Sequence, residues 1–157
     1  IIVILLIVAL ADPGSKMTSK GLDLWVLIDH SESAQPYVAP HQKEWEELLE
    51  KNRGSNDRLF FIDYAGEVLR RSDNVDSVLA NYGASLTGEA IFKAASLAES
   101  DRASRLLVLS DGYSTDSLNG LSAKLKKQAV PLDYRLVHFC PALLCMELIA
   151  FQKIVFE

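Results

Sequence analysis

The chain has 157 residues, and 16 Lys and Arg against 21 Asp and Glu leave a formal charge of −5. With 49% hydrophobic and 24% charged residues it has ordinary globular composition, which excludes a wholly disordered chain, and its length suits one domain with a full core. An acidic balance without a Lys/Arg run argues against nucleic acid as a partner, and two cysteines, Cys140 and Cys145, are too few for a disulfide scaffold.

Residues 1–11, IIVILLIVALA, are all apolar, and Asp12-Pro13-Gly14 ends the run. A bilayer span takes about 20 apolar residues, and the sequence opens at Ile1 without an initiator Met. Residues 1–13 are therefore expected to be the end of a transmembrane helix. A signal segment is the alternative, because Ala9-Leu10-Ala11 has the small-x-small form of a cleavage site. A buried strand rich in β-branched residues is the third reading. Residues 14–21 read as a polar linker and 22–140 as the domain proper. Residues 141–157 read as the end of that domain or the start of a following one.

Leu22 to Asp29 (LDLWVLID) is a strand-length apolar run ending in a carboxylate. After a loop holding Pro36 and Pro40, residues 41–54 place Trp45, Leu48 and Leu49 at helical spacing, with Gly54 as a stop. The charged residues from Lys43 to Arg53 are expected on the wet face of that helix. Arg58 to Tyr64 (RLFFIDY) reads as a second strand, with Asp63 as a turn residue at its end, and residues 67–70 read as a weak third. Ala90, Ile91, Ala94, Leu97 and Ala98 mark one face of a helix, and residues 104–110 (SRLLVLS) form the next strand, closed by Asp111-Gly112. Leu118, Leu121 and Leu125 mark a further helix with Ser117 as its cap, and residues 130–139 read as the last strand. Strands and helices alternate, and the strands are near-continuously apolar. This predicts an α/β fold with a doubly wound, mostly parallel sheet covered by helices on both faces.

In such sheets functional groups collect at the C-terminal ends of the strands. The first strand runs into Asp29-His30-Ser31-Glu32-Ser33, an Asp-x-Ser-x-Ser pattern, and the strand before Asp111 runs into Ser110-Asp111-Gly112. Between them Ser85-Leu86-Thr87-Gly88-Glu89 precedes the alanine-rich helix. Folding would bring Asp29, Ser31, Ser33, Thr87 and Asp111 to one edge. Two carboxylates mixed with hydroxyls make a hard-oxygen set, suited to Mg²⁺, Mn²⁺ or Ca²⁺ rather than zinc or copper. Taken singly, each residue has a plainer role as a loop or helix cap, with Ser31 or Ser33 capping the helix that follows.

The five positions, in this order and at these element ends, resemble the metal-ion-dependent adhesion site of the von Willebrand factor A (vWA) domain family. The resemblance covers about Leu22 to Phe139 and rests on Asp-x-Ser-x-Ser after a strand, TGEAIFKA and VLSDG. It implies a vWA-type fold in which Ser31 and Ser33 bind the metal through their hydroxyls. Thr87 would bind directly or through water, and Asp29 and Asp111 largely through bound water. The remaining position would take an acidic side chain of a protein partner, with His30, Glu32 and Gly112 beside the metal on the partner-binding rim. Glu32 departs from the pattern, since many members carry a small residue there. An extra carboxylate at that place raises cation affinity or repels an acidic ligand.

The apolar segment leading through ALADP into the first strand is similar to bacterial membrane vWA proteins of the Bat (aerotolerance-associated) kind and to glutamine-amidotransferase-associated relatives. That similarity implies a membrane-anchored protein with its vWA domain on the periplasmic side. Other vWA or ATPase components of a membrane complex are the implied partners. The function expected is non-enzymatic, Mg²⁺-dependent protein binding. A scaffold with a vestigial site is the alternative. A phosphatase of the haloacid-dehalogenase kind is disfavoured, because it needs a second Asp two residues after the nucleophile and that position is Ser31. No P-loop, Gly-x-Ser-x-Gly elbow or dinucleotide Gly-rich turn is present. His138, Cys140 and Cys145 lack an apparent fourth ligand for zinc and are expected to pack in the core. Asp29→Ala and Asp111→Ala are expected to spare the fold.

Overall fold

The computed structural model describes residues 20–72 and 79–137. The apolar segment at residues 1–13, most of the linker, and His138, Cys140 and Cys145 lie outside the described residues. So do the last two residues of the expected final strand and the whole of 141–157. Among the described residues no helix is long and apolar enough to cross a membrane.

Among the described residues five strands form one sheet: β1 (Leu22–Asp29), β2 (Arg58–Tyr64), β3 (Val68–Arg70), β4 (Ala103–Ser110) and β5 (Leu132–Leu136). Their order is β3-β2-β1-β4-β5. β1 pairs in parallel with both β2 and β4, and β4 in parallel with β5, while β3 is an antiparallel edge strand folded back on β2. Among the described residues four helices cover the sheet: α1 (Gln35–Val38), α2 (Gln42–Asn52), α3 (Thr87–Leu97) and α4 (Leu121–Gln128).

The near-continuous apolar run of β1 follows from burial on both faces. Trp25 and Leu27 pack with Ala90, Ile91 and Ala94 of α3 and Leu125 of α4, whereas Leu24, Val26 and Ile28 pack with Val38 of α1 and Trp45 and Leu49 of α2. Successive strand residues point to opposite faces, so alternate positions feed two separate cores. This is the doubly wound α/β architecture expected from the pattern. Leu27 is fully enclosed in the α3/α4 core. Leu27→Ala is expected to cost about 3 kcal/mol through lost transfer energy plus a residual cavity, read as a lower urea midpoint at unchanged slope.

Four local readings need correction. Ser117 does not cap the last helix: its hydroxyl accepts the Asn119 N–H, and α4 begins only after Gly120, whose φ of +79° breaks the helical path. Leu118 is consequently outside the helix and exposed. Asp63 is not a turn residue, because it lies within β2, buried, with its carboxylate gripped by both Arg71 Nε (2.9 Å) and Nη2 (2.6 Å). The Pro36 loop holds the short α1, with proline in the first turn where its missing N–H is harmless. Neither Ser31 nor Ser33 caps α1 through its hydroxyl. It is the Ser31 carbonyl that accepts the N–H groups of Ala34 and Gln35.

β1 is the middle strand, and its neighbours are reached in opposite directions, β2 by way of α1 and α2 on one face and β4 by way of α3 on the other. Such a switch point leaves a crevice at the carboxyl end of the central strand. Asp29 is the residue at that end.

Candidate metal centre at the carboxyl edge of the sheet

The parallel register Ile28↔Leu109 brings the next residues, Asp29 and Ser110, side by side where β1 and β4 end. Asp29 is 0% exposed. Its Oδ2 accepts the Ser110 hydroxyl at 2.7 Å and the Ser85 hydroxyl at 2.9 Å, and its Oδ1 accepts the Ser31 N–H at 2.9 Å. That last bond is an Asx turn, and it curls the chain after β1 back over the strand end. Ser31 Oγ then lies 3.3 Å from Ser33 Oγ. Asp111 repeats the device one strand over. Its Oδ1 accepts the Tyr113 N–H at 3.1 Å, across Gly112 at φ +97°. A side chain at Gly112 would be strained by that φ, and its Cβ would sit 2.8 Å from Leu136 Cδ2.

Thr87 opens α3, and its Oγ1 is 3.2 Å from Ser85 Oγ and 3.4 Å from the Tyr64 hydroxyl. Ser110 Oγ is 3.5 Å from Asp111 Oδ1. One hydrogen-bonded network therefore runs from Ser33 through Ser31 to Asp29, and from Asp29 through Ser85 to Thr87 and through Ser110 to Asp111. All five residues singled out from the sequence belong to it. Ser31, Thr87 and Asp111 are buried, while Ser33 stands at the exposed mouth with Glu32 and Gly112.

His30 is half-buried and turned toward β2, with Nε2 3.0 Å from Asp63 Oδ1. Arg71, which holds Asp63, also donates to Glu46 of α2 at 2.8 Å, so Glu46 departs from the otherwise wet face of that helix. Two tyrosines report the negative charge at the strand ends. Burial, then the charge of Asp29, holds the Tyr64 phenol well above its ordinary range. Tyr134 is raised chiefly by burial, with Asp29 and Asp111 adding to it against the hydrogen bond from Ser110.

Elsewhere acids meet bases: Asp23 pairs with Arg58 and Arg102, Asp63 with Arg71, and Asp133 with Arg105. Among the described residues no salt bridge reaches Asp29 or Asp111. Burying carboxylates without a cation is costly, and two acids among five hydroxyls make an all-oxygen donor set that fits a divalent hard cation. Ser31, Ser33 and Thr87 would hold it with Asp29 and Asp111. Among the described residues no three His, Cys, Asp or Glu side chains converge, so a carboxylate-rich or thiolate centre is not formed there.

Sequence reasoning missed three members of the arrangement. Ser85 and Ser110 are the hydroxyls that orient Asp29, and both lay inside the segments already singled out, two residues before Thr87 and one before Asp111. Asp116 reaches across to α3, donating nothing and accepting the Gly88 N–H at 2.9 Å and the Glu89 N–H at 2.8 Å. No local pattern announces that contact.

No family model matches the sequence, and no curated protein is significantly similar to it. Solved structures are similar to it in fold. Proximal thread matrix protein 1 from the mussel byssus superposes with a TM-score of 0.59 at 14% identity, over 74% of this chain and 38% of that one. The chain thus spans well under half of the byssus protein. An aerotolerance-related membrane protein from Bacteroides fragilis superposes with a TM-score of 0.55 at 22% identity, over 74% of this chain and 68% of that one. The fold is a mostly parallel, Rossmann-like α/β sheet. At these identities the likeness is one of architecture, and the chemistry has to be argued from the site itself.

Proposed function

We propose that this chain is a metal-dependent protein-binding module, in which Mg²⁺, or alternatively Mn²⁺ or Ca²⁺, bridges the domain to an acidic side chain of a partner. The observation that carries the reading is the pair of buried carboxylates, Asp29 and Asp111, ringed by hydroxyls and met by no basic side chain among the described residues. A bound cation would supply an electrophilic coordination position for the partner's carboxylate. The chain's own part is to hold the donors: Asp29 is oriented by Ser85 and Ser110, and the Asx turns of Asp29 and Asp111 shape the loops around the mouth. Glu32 and Gly112, exposed at the mouth, would line the partner side, whereas His30, expected there from the sequence, is instead taken up by Asp63 of β2. The role is one of binding rather than catalysis.

Membrane anchorage with the domain on the periplasmic side belongs to the same proposal. It is supported by the apolar run at residues 1–11 and by the fold likeness to an aerotolerance-related membrane protein. Other vWA or ATPase components of a membrane complex are the partners this reading favours. A scaffold with a vestigial site is the second reading, favoured by one observation: Asp29 already accepts three hydrogen bonds from its own chain.

Titrating the full chain with Mg²⁺ and with Mn²⁺ separates the two. A ligand that binds only the folded state adds about 2.7 kcal/mol of stability at 100 times its dissociation constant, so the unfolding temperature is expected to climb with metal concentration. A flat profile together with no heat of binding in calorimetry would transfer the conclusion to the scaffold.

A further inference from the structure

We infer that Asp116 is a positioning residue of the metal centre, capping α3 from the loop after β4 and so fixing Thr87 relative to Asp111; the inference rests on the metal-binding reading above. A helix leaves its first N–H groups without partners inside the helix. The residue preceding α3 is Leu86, which has no side chain able to accept them, and no side-chain cap bond is made there. The acceptor comes instead from a segment 28 residues further along the chain. Asp116 Oδ1 takes the Gly88 N–H and Oδ2 takes the Glu89 N–H, while Ser114 Oγ donates to Oδ1 at 2.8 Å. Burial opposes the charge of this carboxylate, but the Gly88 N–H, the Ser114 hydroxyl and the Glu89 N–H outweigh it and hold Asp116 below the ordinary range. An anion at a helix N-terminus is also favoured by the helix dipole.

The same two segments are joined a second time. Thr115 N donates to the Ser85 carbonyl at 2.8 Å, Ser85 N donates to Thr115 Oγ1 at 3.0 Å, and Thr115 Oγ1 donates back to the Ser85 carbonyl at 3.0 Å. Thr87 is therefore bracketed, by Ser85 before it and by the Gly88 and Glu89 amides after it, and both brackets are held by residues 114–116. The approach is close. A Cβ at Gly88 would lie 2.6 Å from the Ser117 carbonyl oxygen and 2.8 Å from Asp116 Oδ2, which accounts for glycine directly after the threonine. Since Asp111 opens the very loop that carries Asp116, the loop ties the two distant donors of the centre into one unit.

The test is Mn²⁺ binding to the full chain, followed by the relaxation of water protons, in Asp116→Ala, Asp116→Asn, Thr87→Val and the Asp116→Ala/Thr87→Val double variant. Loss of a residue that orients a metal ligand costs about tenfold or more in affinity. Asp116→Ala is expected to weaken Mn²⁺ binding by about that factor and to raise the number of exchangeable waters on the bound ion, as Thr87→Val does. Asp116→Asn, which keeps one acceptor, is expected to restore part of the affinity. The double variant should bind no more weakly than Thr87→Val alone, because a residue acting through another is not additive with it. Unchanged affinity in Asp116→Ala, or a full second loss in the double variant, overturns the inference. Amide hydrogen exchange in the metal-free protein is read in parallel. Gly88, Glu89 and Thr115 are expected to exchange faster in Asp116→Ala while β1 and β4 stay protected, and unchanged protection overturns the cap. Should the parent chain bind no Mn²⁺, the metal reading fails by itself and the exchange result decides the cap. Asp116→Asn serves for every readout if the alanine variant does not fold.

Discussion

Asp29→Ala is expected to abolish the metal-dependent rise in unfolding temperature and to weaken Mn²⁺ binding by about 100-fold. No other residue in the centre holds so many of its parts. The carboxylate is wholly buried, accepts the Ser85 and Ser110 hydroxyls and the Ser31 N–H, and through them touches the segments that carry Thr87, Asp111 and Ser33. Alanine removes one of two negative charges that would offset a divalent cation, and it also frees the Asx turn that curls Ser31 over the strand end. In the metal-free protein the same change strands one amide donor and lets two hydroxyls turn elsewhere, a cost of about 2 kcal/mol. The fold is expected to survive, because β1 is held on both sides by parallel ladders and on both faces by apolar packing. Calorimetric titration beside a urea melt of the metal-free variant measures both effects separately. Wild-type metal affinity in both Asp29→Ala and Asp111→Ala would sink the assignment of the centre.

Asp23→Asn is expected to destabilise the protein by about 2 kcal/mol at neutral pH, the range for losing hydrogen bonds to charged groups when the arginine partners stay partly in water. Asp23 sits at the opposite end of β1, 1% exposed, and receives Arg58 Nε and Arg102 Nε, both at 2.8 Å, on Oδ1, with Arg58 Nη2 on Oδ2. Arg102 also ties down the Lys20 and Asn56 carbonyls, so the carboxylate anchors the point where the chain enters the sheet. Burial raises the carboxyl, but the bonds from Arg58 and Arg102 outweigh it and bring it below the ordinary value of 3.8. A folded-state value below the unfolded one means stabilisation that is complete above pH 3.8 and is lost as pH falls from there through the folded value. The gap between wild type and Asp23→Asn should accordingly be full at pH 7 and should close as the solution is taken below 3.8. Urea unfolding of both proteins at the two pH values checks it, and a gap of constant size would show that the asparagine acts through packing instead.

The two acids of β1 illustrate how differently one strand's ends can be legible. Asp29 could be recognised because its partners lie nearby in sequence or in short recurrent patterns: a hydroxyl two and four residues on, a threonine at a helix start, an aspartate at another strand end. Asp23 gives no such sign within LDLWVLID. Its arginines stand 35 and 79 residues away, and only parallel pairing in the register Asp23↔Arg58, with Arg102 leading into β4, brings them together. Asp63 was misread for the same reason. A carboxylate after FFI looks like a strand terminator, yet Arg71, folded back beside β2, neutralises it inside the sheet. The start of α4 failed differently. Leucines at 118, 121 and 125 have helical spacing, but spacing is blind to backbone sign, and Gly120 adopts a positive φ that places Leu118 outside the helix.

What the sequence determined by itself is everything carried by local periodicity and local hydrogen bonding. The apolar runs of β1 and β4, the amphipathic spacing of α2 and α3, and the alternation that makes a doubly wound sheet are consequences of burial on two faces. The donor types at Asp29, Ser31, Ser33, Thr87 and Asp111 and their preference for a hard cation are likewise read from residue chemistry. Tertiary structure alone decided which groups compensate one another. Ser85 and Ser110 orient Asp29, Asp116 caps a helix that begins 29 residues before it, Arg58 and Arg102 neutralise Asp23, and Arg71 neutralises Asp63. The physical reason is that burial of a charge or an amide demands a partner, but any partner of the right kind will do, so the choice belongs to the strand order and register that bring distant segments together.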